Sequence, residues 1–286
     1  MKFDLVRWTR KDDKSPRTYV AHCSPGESGV CVFRARIDGD TQFTTDARHH
    51  LICFQLSPHL RLDCRMAGRE LRHETVRGAL AICPAGIDCA VAPDRPADAL
   101  FVTVQPAQLA LAAAEEYGVE MELIHRLSGY DQTLMHAAQM LAAESAQGSP
   151  NGPLFWNEVA DRFIGRLLFG HTSRRGGLTA RGRLGERALV RIKEYVLAHI
   201  AEPIAVEDLA ALAGRSPFHF SRIFARSVGV SPHRYVIHLR LKQAIQQIRG
   251  GRLGLAAIAA ETGFADQSHL SRWVRRVHGV APSEIV

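Results

Sequence analysis

Between Leu209 and Ile285 the chain states one pattern twice, and few architectures can accommodate that. The first copy, LAALAGRSPFHFSRIFARSVGVSPHRY, runs from Leu209 to Tyr235; the second, IAAETGFADQSHLSRWVRRVHGVAPSEI, runs from Ile258 to Ile285. Leu209-Ala210 and Gly214 match Ile258-Ala259 and Gly263 at a shift of 49. After a one-residue slip, His219, Ser221, Arg222, Arg226, Gly229, Val230 and Pro232 match His269, Ser271, Arg272, Arg276, Gly279, Val280 and Pro282. Self-similarity at this period marks one supersecondary module used twice.

Each copy opens with a short apolar helix, Val206 to Ala213 or Leu255 to Thr262. Gly214 or Gly263 follows, where a helix ends in the left-handed region. A second helix then spans Ser216 to Arg226 or Asp266 to His278, with Ser216 and Asp266 expected as N-caps and Pro217 at the first helical position. Two helices joined by a short glycine-containing turn form a helix-turn-helix, whose second helix enters the DNA major groove.

Helical periodicity separates the faces of these second helices. Phe220, Ile223 and Phe224, and likewise Leu270, Trp273 and Val274, fall at i, i+3, i+4 and should pack inward. The outward set is Phe218, Ser221, Arg222 and Arg226 in the first copy, and Gln267, Ser268, Ser271, Arg272 and Arg275 in the second. Arginine grips guanine bidentately, glutamine suits adenine and serine is permissive, so these are the expected DNA-binding residues. A solvated helix face is the bland alternative. The charge distribution weighs against it: residues 187–286 hold 14 Lys and Arg against 7 Asp and Glu, a net of +7, whereas residues 1–186 hold 22 of each. Positive charge confined to one domain is the electrostatic footprint of a nucleic-acid binder.

With those motifs in place, Leu209 to Val286 resembles the paired helix-turn-helix domain of the AraC/XylS family of bacterial transcription regulators. The resemblance rests on Leu209-Ala210, Phe218-His219-Phe220-Ser221-Arg222-Ile223-Phe224, Gly229-Val230-Ser231-Pro232, Tyr235 and Arg240. In the second copy it rests on Ile258-Ala259, Gly263-Phe264, Ser268-His269-Leu270-Ser271-Arg272-Trp273 and Gly279-Val280-Ala281-Pro282. It implies two recognition helices in successive major grooves, tied by a long helix that should here be Pro232 to Ile248. It further implies promoter or operator DNA as partner, recruitment of RNA polymerase, more often activation than repression, and control by a small-molecule effector or by homodimerisation. One departure from the family pattern is that no basic tail follows the final proline before Val286.

The N-terminal half reads differently. Val30 to Arg36, Leu51 to Leu56, Leu60 to Met66, Glu70 to Val76, Ala79 to Cys83 and Leu100 to Val104 read as short strands, with a hairpin turn at Ala67-Gly68-Arg69. Such strands suggest a small antiparallel sandwich or barrel, and Gly78 to Gly86 resembles a corner of the cupin-like sensor domain found in many AraC-type regulators. Phe33, Phe54, Met66 and Phe101 are bulky enough to fill its interior. Helices are expected at Pro106 to Tyr117, Asp131 to Ala146 (capped by Asp131), Pro153 to Phe169 and Glu186 to Ile200. In the resembled family such middle helices make the dimer. The Gly- and Arg-rich stretch Gly170 to Gly185 reads as a flexible linker. The fold class is therefore α+β: a cupin-like β-barrel with following helices (1–169), a linker (170–186) and an all-α domain with two helix-turn-helix motifs (187–286).

No enzyme, cofactor or metal is expected. His49 and His50 are adjacent and would face opposite sides of a strand, His73 and Glu74 stand alone, and no nucleophile elbow or phosphate loop occurs. The six cysteines, Cys23, Cys31, Cys53, Cys64, Cys83 and Cys89, form no CxxC pair and are expected as buried thiols. No apolar run approaches a membrane span and MKFDLVRWTRKDDK lacks a signal-peptide core, which points to the cytoplasm. The competing reading is a cupin-type enzyme, or a thiol or metal sensor, fused to a DNA-binding module.

Overall fold

The computed structural model describes residues 7–10, 22–23, 28–37, 41–44, 48–174 and 182–285. They divide into two compact units: the described residues up to 106 with 123–172 form one, and 107–122, 173–174 and 182–285 form the other.

The strands of the first unit are β1 (Arg7–Arg10), β2 (His22–Cys23), β3 (Val30–Ile37), β4 (Thr41–Thr44), β5 (His50–Gln55), β6 (Leu60–Met66), β7 (Arg69–Thr75), β8 (Leu80–Cys83), β9 (Asp88–Pro93) and β10 (Ala97–Val104). They pair antiparallel in two five-stranded sheets, ordered β1-β4-β9-β6-β7 and β2-β3-β10-β5-β8. The closed barrel expected from the sequence is not formed. The outermost strands are poor templates for a further ladder: β7 alternates Glu70, Arg72 and Glu74 outward and β8 is short. The hairpin β6–β7 turns on Ala67 (φ 49°) and Gly68 (φ 73°), the two-residue turn whose twist matches its strands. Asp63 and Arg72 sit directly opposite and pair bidentately at 2.6 and 2.9 Å.

Period-two alternation sorts β5. Cys53 turns toward the interior shared with Phe33, Met66 and Phe101, while Phe54 meets Phe163 edge-on with ring centroids 6.4 Å apart. Phe33 and Phe101 stack at 5.0 Å. Of the four bulky residues expected to fill a barrel, Phe54 therefore serves the opposite face. Phe163 belongs to α3 (Gly152–His171), which pairs with α2 (Gln132–Ala146). Asp131 caps α2 as expected, accepting from the Leu134 N–H (3.0 Å), and is also held by Arg166 Nε (2.8 Å) and His171 Nε2 (2.9 Å). Burial alone would push this carboxyl up; the three donors and the Arg166 charge outweigh it and hold it below the usual range.

One cysteine departs from the expectation of thiols. Cys31, whose Cα partner across the β2–β3 ladder is Cys23, is disulfide-bonded, whereas Cys53, Cys64, Cys83 and Cys89 are in none.

The second unit contains α4 (Glu186–Ala198), α5 (Val206–Leu212), α6 (Pro217–Val228), α7 (Pro232–Gly250), α8 (Leu255–Glu261), α9 (Gln267–His278) and a terminal 3-10 turn, Pro282–Glu284. It also takes in α1 (Pro106–Tyr117) from Ala107 onward, a segment that the sequence reading grouped with the strands. The reason is apolar burial: Leu111 and Ala114 sit in one core with Leu189, Ile192, Phe220, Phe224 and Tyr235. The expected linker is only partly visible, since 175–181 lie outside the described residues. Its end is packed rather than open: Leu184 is buried in the same core, its N–H donates to Ser227 Oγ (2.9 Å), and Arg183 pairs with Glu120 (2.8 Å).

Gly214 and Gly263 end α5 and α8 with φ of 61° and 74°. Their surroundings differ. A Cβ on Gly214 meets nothing within 4 Å, whereas one on Gly263 would lie 2.3 Å from the Ile200 carbonyl oxygen and 2.7 Å from the Arg240 guanidinium. Gly214→Ala should therefore cost only the left-handed backbone, about 1–2 kcal/mol. Gly263→Ala should add an overpacking cost of roughly 1–3 kcal/mol. Urea unfolding of the two variants measures the difference, and equal losses would show that the α7–α8 junction yields freely.

Candidate nucleic-acid interface

The second helices of the two repeats, α6 and α9, are strongly two-faced. On α6, Phe220, Ile223 and Phe224 are buried, Phe224 against Tyr235 at 5.4 Å. On α9, Leu270 and Val274 are buried, but Trp273 is only half-buried. Its indole N–H donates to His269 Nε2 (3.0 Å) and the Arg276 guanidinium lies 5.2 Å over its ring, so Trp273 braces the helix surface more than it fills the core.

The opposite faces carry the residues singled out in the sequence. Phe218, Arg222 and Arg226 are exposed on α6, and Gln267, Ser268, Arg272 and Arg275 on α9. Phe218 leaves 83% of its surface in solvent, an unusual state for an aromatic ring. Ser221 and Ser271 are half-buried, and the Ser221 hydroxyl donates back to the Pro217 carbonyl (2.9 Å). The caps separate too. Asp266 accepts from the His269 N–H at 2.7 Å, whereas Ser216 occupies the N-cap position of α6 without a side-chain hydrogen bond, leaving Pro217 at N1 to start that helix. Arg276, matched to Arg226 by the repeat, was not in the sequence-derived set; its spacing of three from Trp273 was the available signal.

Three contacts fix the helix α7 that ties the repeats together. Arg240 Nε donates to the Ile200 carbonyl (3.0 Å) and its Nη2 to the Glu202 carbonyl (2.5 Å), placing a cation on the end of α4. Gly229, the left-handed C-cap of α6 (φ 82°), lets the chain pass so close to Ala107 of α1 that a Cβ would sit 2.6 Å from its Cα. Glu115 of α1 accepts from His238 Nε2 (2.8 Å) and pairs with Lys242, both on α7. Burial would raise the Glu115 carboxyl, but the hydrogen bonds and charges of His238 and Lys242 win and bring it down to about 2. His278 at the end of α9 is held down to about 4 by burial, with His238 and Arg249 adding repulsion.

Among the described residues no group of three or more His, Cys, Asp and Glu is arranged to hold a metal ion. No described helix is long and apolar enough to cross a membrane.

Residues 209–286 match the family model described as a helix-turn-helix domain. The probable transcriptional regulator LumQ of Photobacterium leiognathi is 33% identical over 95 residues, 33% of this chain and 38% of that protein. A regulator of Bacillus subtilis, YbfI, is 36% identical over 77 residues, covering 27% of this chain and 28% of its own length. The match thus spans about a third of the length of these curated relatives. Among solved structures, a transcriptional regulator of Chromobacterium violaceum with an AraC-type DNA-binding domain is similar at 28% identity, covering 34% of this chain and 87% of that one with a TM-score of 0.32.

The Glu115 clamp gives a pH dependence with a definite sign. A carboxyl held below its unfolded value near 4.5 contributes stability that is complete above pH 5 and is lost as pH falls toward 2. Glu115→Gln should lower hydrogen-exchange protection of α7 at pH 7 by about one to two orders of magnitude. The gap to the parent protein should close as pH falls from about 5 to about 2. A gap that stays constant across that range would show that the carboxylate charge contributes nothing.

Proposed function

We propose, because residues 209–286 are an AraC-type helix-turn-helix domain, that the chain is a sequence-specific DNA-binding transcription regulator. The observation that supports it best is the pair of matched second helices, α6 and α9. Each buries an apolar stripe and turns arginines outward, on the part of the chain that carries all the excess positive charge. Arg222 and Arg272 are assigned to base edges, with Phe218, Ser221, Arg226, Gln267, Ser268, Ser271 and Arg275 completing the surface. Ser221 and Ser271 contribute least, being half-buried.

On this reading the partner is promoter or operator DNA in the cytoplasm, and RNA polymerase is recruited beside it. The first unit serves as the sensor or the homodimerisation surface, and a small molecule that prefers one arrangement of the protein shifts its activity. No catalytic step is assigned to either unit; the relatives it matches are named as transcriptional regulators.

In vitro selection from genomic fragments with the full-length protein at two salt concentrations tests the proposal. A motif spanning two major grooves, with affinity falling steeply in salt, is the expected result. Salt-sensitive binding without any motif would overturn sequence specificity. Arg222→Ala and Arg272→Ala should each cost about 1–3 kcal/mol on the selected site and relax the preference at one base pair. An equal loss on all sequences, with the salt slope lower by about one, would reassign that arginine to phosphate.

A further inference from the structure

The interior of the first unit holds something a packed sandwich does not need. A cavity of about 90 Å³ lies between the sheets, several times the space that one water requires. Its lining brings together Cys53 and Cys83 from one sheet and Cys64, Cys89 and Met66 from the other, so its walls carry four thiols and a thioether. Thr75 also lines it, 4% exposed, with a hydroxyl that has no hydrogen-bond partner. A buried unsatisfied hydroxyl is costly unless something else visits the space.

Two of the thiols form a pair. Cys83 ends β8 and Cys89 lies in β9, on either side of the turn Pro84–Ile87. Cys83 Sγ donates to the Ile87 carbonyl at 3.0 Å, which fixes its direction, and Cys89 packs against the core cluster to which Cys83 belongs. Cys89 is half-buried, so a small solute can reach the pair.

The surroundings select the chemistry. Sulfur donors favour soft acceptors. A tetrahedral ion needs three or four ligands, and no such group exists among the described residues. Burial, with Cys64 beside it, pushes the Cys53 thiol up to about 12; burial and Asp63 push Cys64 up to about 11. The interaction with Cys83 and then burial push Cys89 higher still. The cavity therefore resists negative charge, and a bound species must leave the paired sulfurs neutral overall.

We propose that Cys83 and Cys89 form a two-sulfur site for a small thiophilic acceptor with two valences to satisfy, such as divalent mercury or a methylated trivalent arsenical, enclosed in the cysteine-lined cavity. With methylarsonous acid, CH3As(OH)2, two As–S bonds form and two As–O bonds break. Each hydroxyl leaves as water with one thiol proton, so no oxidant or reductant is needed. With mercury(II), two S–Hg bonds form and two protons go to solvent. Both products are neutral.

The site belongs to the first unit, and its test does not depend on DNA binding. Full-length protein is mixed with one equivalent of methylarsonous acid and weighed by mass spectrometry. The cysteines are then alkylated in urea and mapped. The expected result is one CH3As unit per chain in place of two protons, with Cys83 and Cys89 protected from alkylation and Cys53 and Cys64 alkylated. Cys83→Ser and Cys89→Ser should each abolish the adduct, and Cys64→Ser should retain it. Mercury(II) should block uptake. Should a serine variant not fold, the protection map of the parent protein decides by itself. Protection at Cys53 and Cys64 instead, or uptake only after unfolding, would overturn the assignment.

Discussion

The geometry of the second unit depends on one crowded junction, where Gly263 touches the Ile200 carbonyl and the Arg240 guanidinium. Arg240 reaches from α7 to the carbonyls of Ile200 and Glu202, just beyond the end of α4, and the chain leaving α8 must pass over that contact before α9 begins. A side chain at position 263 cannot be accommodated there, so glycine is required twice over, for its φ of 74° and for the missing Cβ. The equivalent glycine of the first repeat, Gly214, carries only the first requirement. Two glycines matched by the repeat are therefore loaded differently in space.

A second constraint comes from far upstream. Helix α1 brings Leu111 and Ala114 into the core shared with α6 and sets Glu115 between His238 and Lys242. Glu120 does the same for Arg183. A strongly basic group of helices stabilises itself by taking in acidic residues from outside the repeat, at positions where they do not disturb the exposed arginines. The Ala107–Gly229 contact makes this docking close: the helix that ends in Gly229 is α6 itself.

How much of this could be read in the sequence follows from the range of the interactions. Periodicity and capping are local, so α1, α2 and α6 to α9 lay within a few residues of expectation, and Asp131 and Asp266 cap where their spacing suggested. Strand β9 was missed because Asp88–Pro93 mixes small residues with a terminal proline and has no alternation that a core would impose. The open pair of sheets, the Cys31 disulfide and the place of α1 are decided by contacts between residues far apart in the chain, which no window of sequence contains. The candidate DNA surface was legible as a face. The bracing of Trp273 by His269 and Arg276 was not, because the same spacing also describes a residue that packs inward.

That last difference bears on what the repeat can do. His219 and His269 are matched, yet four residues later stand Ile223, which is buried, and Trp273, which is not. In α9 the histidine therefore has an indole to receive and Arg276 has a ring to lie on, so part of the exposed face is held in place beforehand. In α6 the corresponding residue has turned into the core, and the most prominent surface feature is the unbraced ring of Phe218. Side chains fixed in advance lose less entropy on binding, and an apolar ring left in water gains from being covered. The second helices of the two repeats thus offer a partner different physical terms despite their matched sequences: ordering already done in one, apolar surface still exposed in the other.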